Sequence, residues 1–399
     1  KAQEIAIQME EKKDLREALV YLQQYGISNT LAVKIYNTYG MEMYSVMREN
    51  PYRLAEDVSG VGFRIADEIA GKIGIHTDSD YRIRSGILYT LLQAVGEGHC
   101  YLPLDLLLRR ASELLGVSEE NIRPQVDNLI MDRKLVAKGE AVFASSYYYA
   151  ELNCANMLRN LNIPMVEAEN LPSQDAAIRK RLERMAENLS MELDELQLKA
   201  VEESIKNGLF ILSGGPGTGK TTAIRAIIRL CERMHRRVTL AAPTGRAANR
   251  MSEVCGMEAR TIHRLLETVF SEDKSSQEFG RNEENPIDTD VLIVDELSMV
   301  DLPLMYALLQ ALPEDASLVL VGDADQLPSV GPGNVLKDLI QSACIPTVHL
   351  DTIFRQAQES MIVMNAHTIN AGEVPALKSA KDFFFMKRTS GSDIAKTIV

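Results

Sequence analysis

This sequence is sparing with cysteine, with long apolar runs and with positive charge, and each shortage closes off a class of protein. Its five cysteines (Cys100, Cys154, Cys231, Cys255 and Cys344) are scattered, odd in number and form no C-x-x-C pair. That argues against a disulfide framework or a cysteine zinc site and fits free thiols in a reducing cytoplasm. The six histidines show no metal-ligand spacing either. No apolar run approaches the ~18 residues of a membrane span, and no signal peptide opens the chain. The expected setting is cytoplasmic, with no membrane partner. A formal net charge of −13 argues mildly against a polyanion partner. Net charge does not report local potential, however, and a narrow local channel can still grip a nucleic acid.

What is present is ordinary globular composition, 46% hydrophobic and 25% charged over 399 residues, enough for two or three domains. The most informative stretch is Gly214-Gly215-Pro216-Gly217-Thr218-Gly219-Lys220-Thr221-Thr222, which fits G-x-x-x-x-G-K-[ST]. An apolar strand, 209–212, precedes it. A helical pattern with Ile224, Ile227, Ile228, Cys231 and Met234 follows. Backbone N–H groups of such a loop turn inward around a triphosphate, and the helix N-terminus adds partial positive charge. Lys220 would reach the β- and γ-phosphates, and the Thr221 hydroxyl would ligate Mg²⁺. The bland alternative is a glycine-rich turn that binds nothing; strand, loop and helix in sequence disfavour it.

A second run, Val291-Leu292-Ile293-Val294, reads as a buried parallel strand and ends in Asp295-Glu296. Asp295 would hold Mg²⁺ directly or through water, and Glu296 would polarise the attacking water. A capped helix start shows the same letters. Paired with the upstream loop, the two carboxylates read as an NTP hydrolase rather than a kinase or a passive nucleotide binder.

From about residue 191, apolar strands recur at 209–212, 237–242, 291–294, 317–321 and 347–350, with helical patterns between them. This predicts an α/β domain with a parallel sheet. The N-terminal part carries an internal repeat instead. Gly26-Ile27-Ser28-Asn29-Thr30-Leu31-Ala32 aligns with Gly60-Val61-Gly62-Phe63-Arg64-Ile65-Ala66 at an offset of 34, which also matches Ile35 with Ile69 and Gly40 with Gly74. Two copies without the aromatic and proline marks of a tetratricopeptide repeat exclude that reading. Val58-Ser59-Gly60-Val61-Gly62 instead resembles the hairpin of a helix-hairpin-helix motif, whose backbone N–H groups contact DNA phosphates. Gly60 and Gly62 are the candidate contacts; ordinary helix packing without a ligand is the alternative. Ser28 stands where the second copy has Gly62.

Residues 81–150 combine amphipathic segments, including Leu104–Leu115 and Ile122–Met131, with a β-hairpin pattern turning at Gly139. That resembles a winged helix, a type that binds DNA or protein. Residues 151–190 read as a charged helical connector. Residues 271–290 are polar and acidic, and by composition alone form a surface loop.

Further clusters follow in fixed order. Leu193-Asp194-Glu195-Leu196-Gln197 precedes the first strand, where a glutamine would read the adenine edge. Then come Ala242-Pro243-Thr244-Gly245-Arg246-Ala247-Ala248, Arg260-Thr261-Ile262-His263, Gly322-Asp323-Ala324-Asp325-Gln326-Leu327-Pro328-Ser329-Val330-Gly331-Pro332-Gly333, and Phe354-Arg355-Gln356. Over about residues 191–375 these segments resemble the motifs of superfamily 1 helicases, in the RecD-like branch. The helix-hairpin-helix region in front is similar to the stand-alone members of that branch.

The resemblance implies a RecA-like P-loop domain, with ATP and Mg²⁺ bound by Gln197, Gly215, Pro216, Gly217, Thr218, Gly219, Lys220, Thr221, Thr222 and Asp295. It implies catalysis by Lys220, Glu296, Gln326 and Arg355, Gln326 sensing the γ-phosphate and Arg355 approaching it. It places Pro243, Thr244, Arg246 and His263 along a single-stranded DNA path, though His263 reads equally as a structural histidine. It turns 271–290 into a candidate pin that splits the duplex at a junction. The implied activity is ATP-dependent 5′-to-3′ translocation and unwinding in DNA repair or recombination.

The expected layout is a helix-hairpin-helix region (1–80), a winged-helix-like α+β domain (81–150), a connector (151–190) and a motor domain (191–375). Residues 376–399 would begin a second motor domain, cut short. Two alternatives remain at this stage. One is a DNA-binding or protein-docking module with a regulatory NTPase half. The other is the helicase part of a conjugative relaxase, whose nicking domain is not in this chain.

Overall fold

The computed structural model describes residues 2–76, 78–165, 179–180, 184, 192–269, 278–377 and 382–398, without the side chains of 2–12, 269, 278, 355 and 356. Two compact units divide the chain. One holds Lys1–Leu152 with Thr268–Phe279 and Val330–Gly333; the other holds Asn153–Glu267, Gly280–Ser329 and Asn334–Val399. Among the described residues no helix is long and apolar enough to cross a membrane.

The first unit opens with helices α1 (Ala2–Gln23), α2 (Asn29–Tyr39), α3 (Met43–Glu49), α4 (Arg53–Asp57), α5 (Phe63–Ile73) and α6 (Asp80–Gly96). The 34-residue repeat is structural. Its paired positions Ile27 and Val61, Ala32 and Ala66, and Ile35 and Ile69 are all buried. Gly26 and Gly60 both take left-handed φ values, 81° and 93°. The two hairpins also exchange lysines. Lys34 of α2 donates to Ser59 O in the second hairpin (3.4 Å), and Lys72 of α5 donates to Tyr25 O in the first (2.7 Å). Asp67 of α5 binds α6, accepting from Arg82 Nε at 2.7 Å and Nη2 at 3.0 Å, and takes a third bond from the Tyr52 hydroxyl at 2.7 Å. Burial alone would raise the Asp67 pKa, but these hydrogen bonds outweigh it and hold the carboxyl below its ordinary value.

Next come β1 (Tyr101–Pro103), α7 (Leu104–Leu115), α8 (Glu119–Met131), β2 (Leu135–Lys138) and β3 (Ala141–Ala144). The expected hairpin turns at Gly139, with Lys138 opposite Ala141. A third strand, β1, pairs antiparallel with β3 and gives the order β1-β3-β2. At three residues it is too short to show a period in sequence.

Helix α9 (Ser145–Leu161) leads into the second unit. The connector is not helical throughout. After Leu161 the chain straightens, Pro164 bridges Asn207, and Met165 N donates to Lys206 O at 2.7 Å. Proline at 164 fits this extended stretch, since it cannot donate within a helix. The rest of 166–190 lies almost wholly outside the described residues.

The second unit continues with α10 (Glu195–Lys206), β4 (Leu209–Gly214), α11 (Lys220–Arg233), β5 (Val238–Ala242), α12 (Gly245–Cys255), β6 (Ala259–Thr261) and α13 (Ile262–Leu265). The short pair β7 (Thr268–Val269) and β8 (Glu278–Phe279), which belongs to the first unit, comes next in sequence, and the second unit resumes with β9 (Val291–Val294), α14 (Leu302–Gln310), β10 (Ser317–Gly322) and α15 (Val335–Gln341). β11 (Thr347–Leu350), α16 (Arg355–Gln358), α17 (Met361–Asn370) and α18 (Gly391–Ile398) complete the order. Six strands form one parallel sheet, β11-β4-β10-β9-β5-β6. Every residue of β4, β9 and β10 is buried, so both sheet faces are covered there. Because the strands are parallel, the loops that follow them leave from one edge.

Gly208, immediately before β4, tests how the chain enters the sheet. Its N–H donates to Ile163 O at 3.1 Å, and a Cβ at this position would run into Leu161 O. A carbonyl of the backbone cannot swing aside as a side chain would. Gly208→Ala is expected to cost about 1–3 kcal/mol and to lower the thermal midpoint by several degrees. An unchanged midpoint in thermal unfolding would show that this junction yields freely.

Candidate functional site

The loop between β4 and α11 is built for close backbone approach. Gly219 sits at φ 83° as the N-cap of α11, and a Cβ there would run into Gln197 Nε2 and the Phe354 ring. Only glycine fits both the backbone angle and the space. Thr218 is buried, and its hydroxyl donates back to Gly215 O at 2.9 Å, tightening the turn. Lys220 opens α11 with its ammonium folded over the loop, donating to Gly214 O and, at 3.0 Å, to Gly215 O. Thr221 and Thr222 follow in the first turn, where helix N–H groups lack intrahelical partners.

Three carboxylates face this lysine. Burial pushes the Lys220 pKa down, and Asp323, Asp295 and Glu296 oppose that push by their charge. Burial also raises the pKa of Asp295, and raises Glu296, where the neighbouring Asp295 charge adds to the effect. Arg250 of α12 lies within electrostatic reach of Lys220, Asp295 and Glu296. Glu296 has a left-handed backbone, φ 54°, while its N–H donates to Asp295 Oδ1 at 2.8 Å. A glutamate pays strain for that conformation, and such strain collects at functional sites.

Sheet order explains the convergence. Asp295 follows β9, Asp323 follows β10 and the loop follows β4, and β10 lies between the other two strands. Sequence reading gave no role to Asp323 or Arg250. Asp323 is buried and organises the following turn, accepting from Asp325 N at 3.1 Å and from Gln326 Nε2 at 3.3 Å. Arg250 stands four residues after Arg246, one helical turn on, and that spacing was the available signal.

Gln197 differs from expectation. It is the N3 residue of a capping box with Asp194, fully buried, its Oε1 accepting from Asp194 N at 3.0 Å and its Nε2 donating to Gly219 O at 3.3 Å. Each end of the amide therefore has one backbone partner, and its second N–H and second lone pair are the groups with which it would read an adenine edge. Arg355 begins α16, and its side chain lies outside the described ones. Gln326 is exposed in the turn after β10.

Pro243 and Thr244 leave the end of β5 and His263 follows the end of β6, strands whose last residues, Ala242 and Thr261, pair directly. Arg246 is exposed in the first turn of α12. Thr244 caps that helix, its hydroxyl accepting from Ala247 N at 3.2 Å. In the first unit, Gly62 caps α5 and a Cβ there would meet nothing within 4 Å, while Gly60 carries the positive φ. The candidate pin has narrower feet than its sequence bounds. β7 and β8 pair Thr268 with Phe279 and Val269 with Glu278, residues 270–277 lie outside the described residues, and 280–290 is a turn-rich run into β9.

With this geometry in hand, the chain can be set beside known proteins. A family model described as the HHH domain of the ATP-dependent RecD2 DNA helicase matches residues 11–101, and one described as an AAA domain matches residues 197–332. The ATP-dependent RecD2 DNA helicase of Deinococcus radiodurans is 32% identical over 381 residues, covering 90% of this chain and 50% of that protein. The RecBCD enzyme subunit RecD of Mycolicibacterium smegmatis is 39% identical over 170 residues, 37% of this chain and 30% of that one. The chain thus spans about half the length of the first of these relatives. Among solved structures, the Pif1 helicase from Candida albicans aligns at 24% identity with a TM-score of 0.34, over 46% of this chain and 45% of that chain. With a helix-hairpin-helix match ahead of an AAA match, and a RecD2 relative aligned to nine-tenths of this chain, the chain belongs to the RecD-like helicases that carry an N-terminal helix-hairpin-helix region.

Proposed function

We propose that this chain works as an ATP-driven DNA motor, coupling hydrolysis of the γ-phosphate to movement along single-stranded DNA and opening of duplex. The observation that carries the reading is the meeting of Lys220, Asp295, Glu296 and Asp323 at one edge of a parallel sheet, beside a glycine loop shaped for phosphate. The 5′-to-3′ direction, a place in repair or recombination, and the DNA junction as substrate are read from the similarity to RecD-like helicases.

The residues fit Mg²⁺, since a threonine hydroxyl and a carboxylate are the oxygen donors it prefers. Thr221 and Asp295 would hold it, and when bound it supplies charge neutralisation to the β- and γ-phosphate oxygens. Loop N–H groups and the α11 N-terminus would bind the phosphates, and Lys220 would exchange its carbonyl partners for phosphate oxygens. Glu296 would accept a proton from the attacking water and Gln326 would contact the γ-phosphate. Arg355 would stabilise charge in the transition state, a role worth about 10³–10⁵ in rate among related NTPases.

The docking-module alternative lacks a comparable observation, because such a module has no use for a lysine held among three carboxylates. Pro243, Thr244, Arg246 and His263 are assigned to the single-strand path, and Gly60 and Gly62 to sequence-independent grip on phosphates.

Lys220→Ala is expected to abolish ATP hydrolysis and leave the fold unchanged. Glu296→Gln should lower turnover by about 10²–10⁴ while ATP affinity stays within a few-fold. Glu296 must be ionised to accept a proton, so activity is lost as pH falls through its pKa, which burial and the Asp295 charge raise in the unliganded site. A steady-state profile of the wild type with both variants checks this. Near-normal turnover in either variant overturns the assignment.

Gly62→Val tests the hairpin with little risk to the fold, since space beside Gly62 is open, whereas substitution at Gly60 strains the backbone. DNA affinity should fall alike for all sequences, with a shallower salt dependence. Titration against two unrelated oligonucleotides at several salt concentrations reads both; unchanged affinity favours packing alone.

Replacing 270–277 by a two-residue turn should spare ATP hydrolysis and single-strand binding but abolish strand separation, because a pin acts on the junction. A forked-duplex assay in the intact helicase decides it. Full unwinding would reduce the segment to a surface loop.

A further inference from the structure

Helix α17 presents one face to two parts of the candidate site. Val363, His367 and Asn370 recur at spacings of four and three and therefore share that face. A Cβ on Gly217 would sit 3.3 Å from Val363 Cγ1, and one on Gly215 would sit 2.6 Å from His367 Cε1, so the helix lies directly on the phosphate loop. The His367 ring is 3.0 Å from Pro216 O through Nε2. A carbonyl only accepts, so Nε2 carries the proton and donates. One turn on, Asn370 Nδ2 donates to Asp325 Oδ2 at 2.7 Å. Asp325 stands in the turn that Asp323 organises, next to Gln326. The helix itself is anchored. Ser360 accepts from Val363 N at its start, its hydroxyl donates to Asp382 Oδ2 at 2.6 Å, and buried Asn365 grips both N and O of Ala376.

We propose that α17 is a strut tying the phosphate loop to the Gln326 turn, with His367 and Asn370 as its two positioning residues. His367 holds the Pro216 carbonyl outward, which keeps the neighbouring loop N–H groups free to face phosphate. Asn370 holds the Asp325 carboxylate, so a shift of the loop on binding nucleotide is carried along about one turn of helix to the Gln326 turn. Neither residue touches nucleotide. The proposal rests on the ATP-site reading above and adds a second element to it.

The test uses this chain with ATP·Mg²⁺, measuring the equilibrium dissociation constant and amide hydrogen exchange of residues 323–327 with and without nucleotide. The wild type should show altered exchange in that turn when nucleotide binds. His367→Ala should weaken ATP binding about threefold to tenfold, the scale of one hydrogen bond, and His367→Gln, which keeps a donor, should restore most of it. Asn370→Ala should bind ATP as the wild type does and lose the exchange response at 323–327. Thermal midpoints close to wild type in all three variants separate positioning from folding. A midpoint collapse in His367→Gln as well as His367→Ala would assign the histidine to packing and overturn its role. Unchanged ATP affinity in His367→Ala, or a full exchange response in Asn370→Ala, also overturns the strut. If instead the wild type binds ATP no better than Lys220→Ala does, the underlying site reading fails, and the two failures are told apart by that single comparison.

Discussion

Burial of β4, β9 and β10 at every residue is the constraint on which the site depends. Strands covered on both faces have no place for a charged side chain until they end. All the chemistry is therefore pushed to the strand termini, and parallel pairing gathers those termini on one edge. The same burial sets the electrostatics. Lys220 is pushed toward its neutral form and Asp295 and Glu296 toward theirs by loss of water, while the opposite charges push back. A bound polyanion with its cation would enter a place where charge interacts more strongly than in bulk water.

What could be read from the sequence follows from this constraint. Short continuous apolar runs such as Val291–Val294 read as buried strands, so β4, β9 and β10 were legible to within two residues at either end, and β11, whose residues alternate exposed and buried, was placed as well. β6 was not. Its three residues are half-buried or exposed, and it is recognisable as a strand only through its pairing with β5. The glycine loop and Asp295-Glu296 were legible because their chemistry is local. Asp323, Arg250 and His367 were not, since their importance comes from what the fold sets beside them. Gln197 shows the reverse case. Its place before the first strand suggested base reading, yet Asp194-x-x-Gln197 is also a helix-capping signature, and that local bond is the one observed.

In the first unit the repeat was legible as letters, but its logic is tertiary. The copies differ where Gly62 is replaced by Ser28, and agree where packing demands it, at Ile27 and Val61 or Ala32 and Ala66. The exchanged bonds from Lys34 and Lys72 occupy carbonyls of the opposite hairpin. Each hairpin thus has a carbonyl tied inward, and this holds its turn in shape without spending the N–H groups that a phosphate would need. Two unequal copies sharing one core can keep one hairpin for packing and leave the other for contact.

The phosphate loop obeys the same accounting on a smaller scale. A loop that turns its N–H groups toward a ligand must turn carbonyls elsewhere, and a buried carbonyl without a donor is costly. Five carbonyls of the loop have a donor. Gly214 O and Gly215 O take Lys220, Gly215 O also takes Thr218, Pro216 O takes His367, Gly217 O takes Phe354 N, and Gly219 O takes Gln197. Two of these donors sit within the loop and its helix; the others come from α10, from the N-cap of α16, and from α17. The sequence that encodes the loop is nine residues long, but the sequence that holds it open runs from Gln197 to His367. Of the donors, only Lys220 has another partner waiting in the proposed cycle, the phosphate itself. When it leaves, Gly214 O gives up this donor, Gly215 O keeps Thr218, and the bonds to Pro216 O, Gly217 O and Gly219 O are untouched. The loop can therefore give up its lysine to a nucleotide without collapsing, because the bonds that shape it are made by residues that have no part in the chemistry.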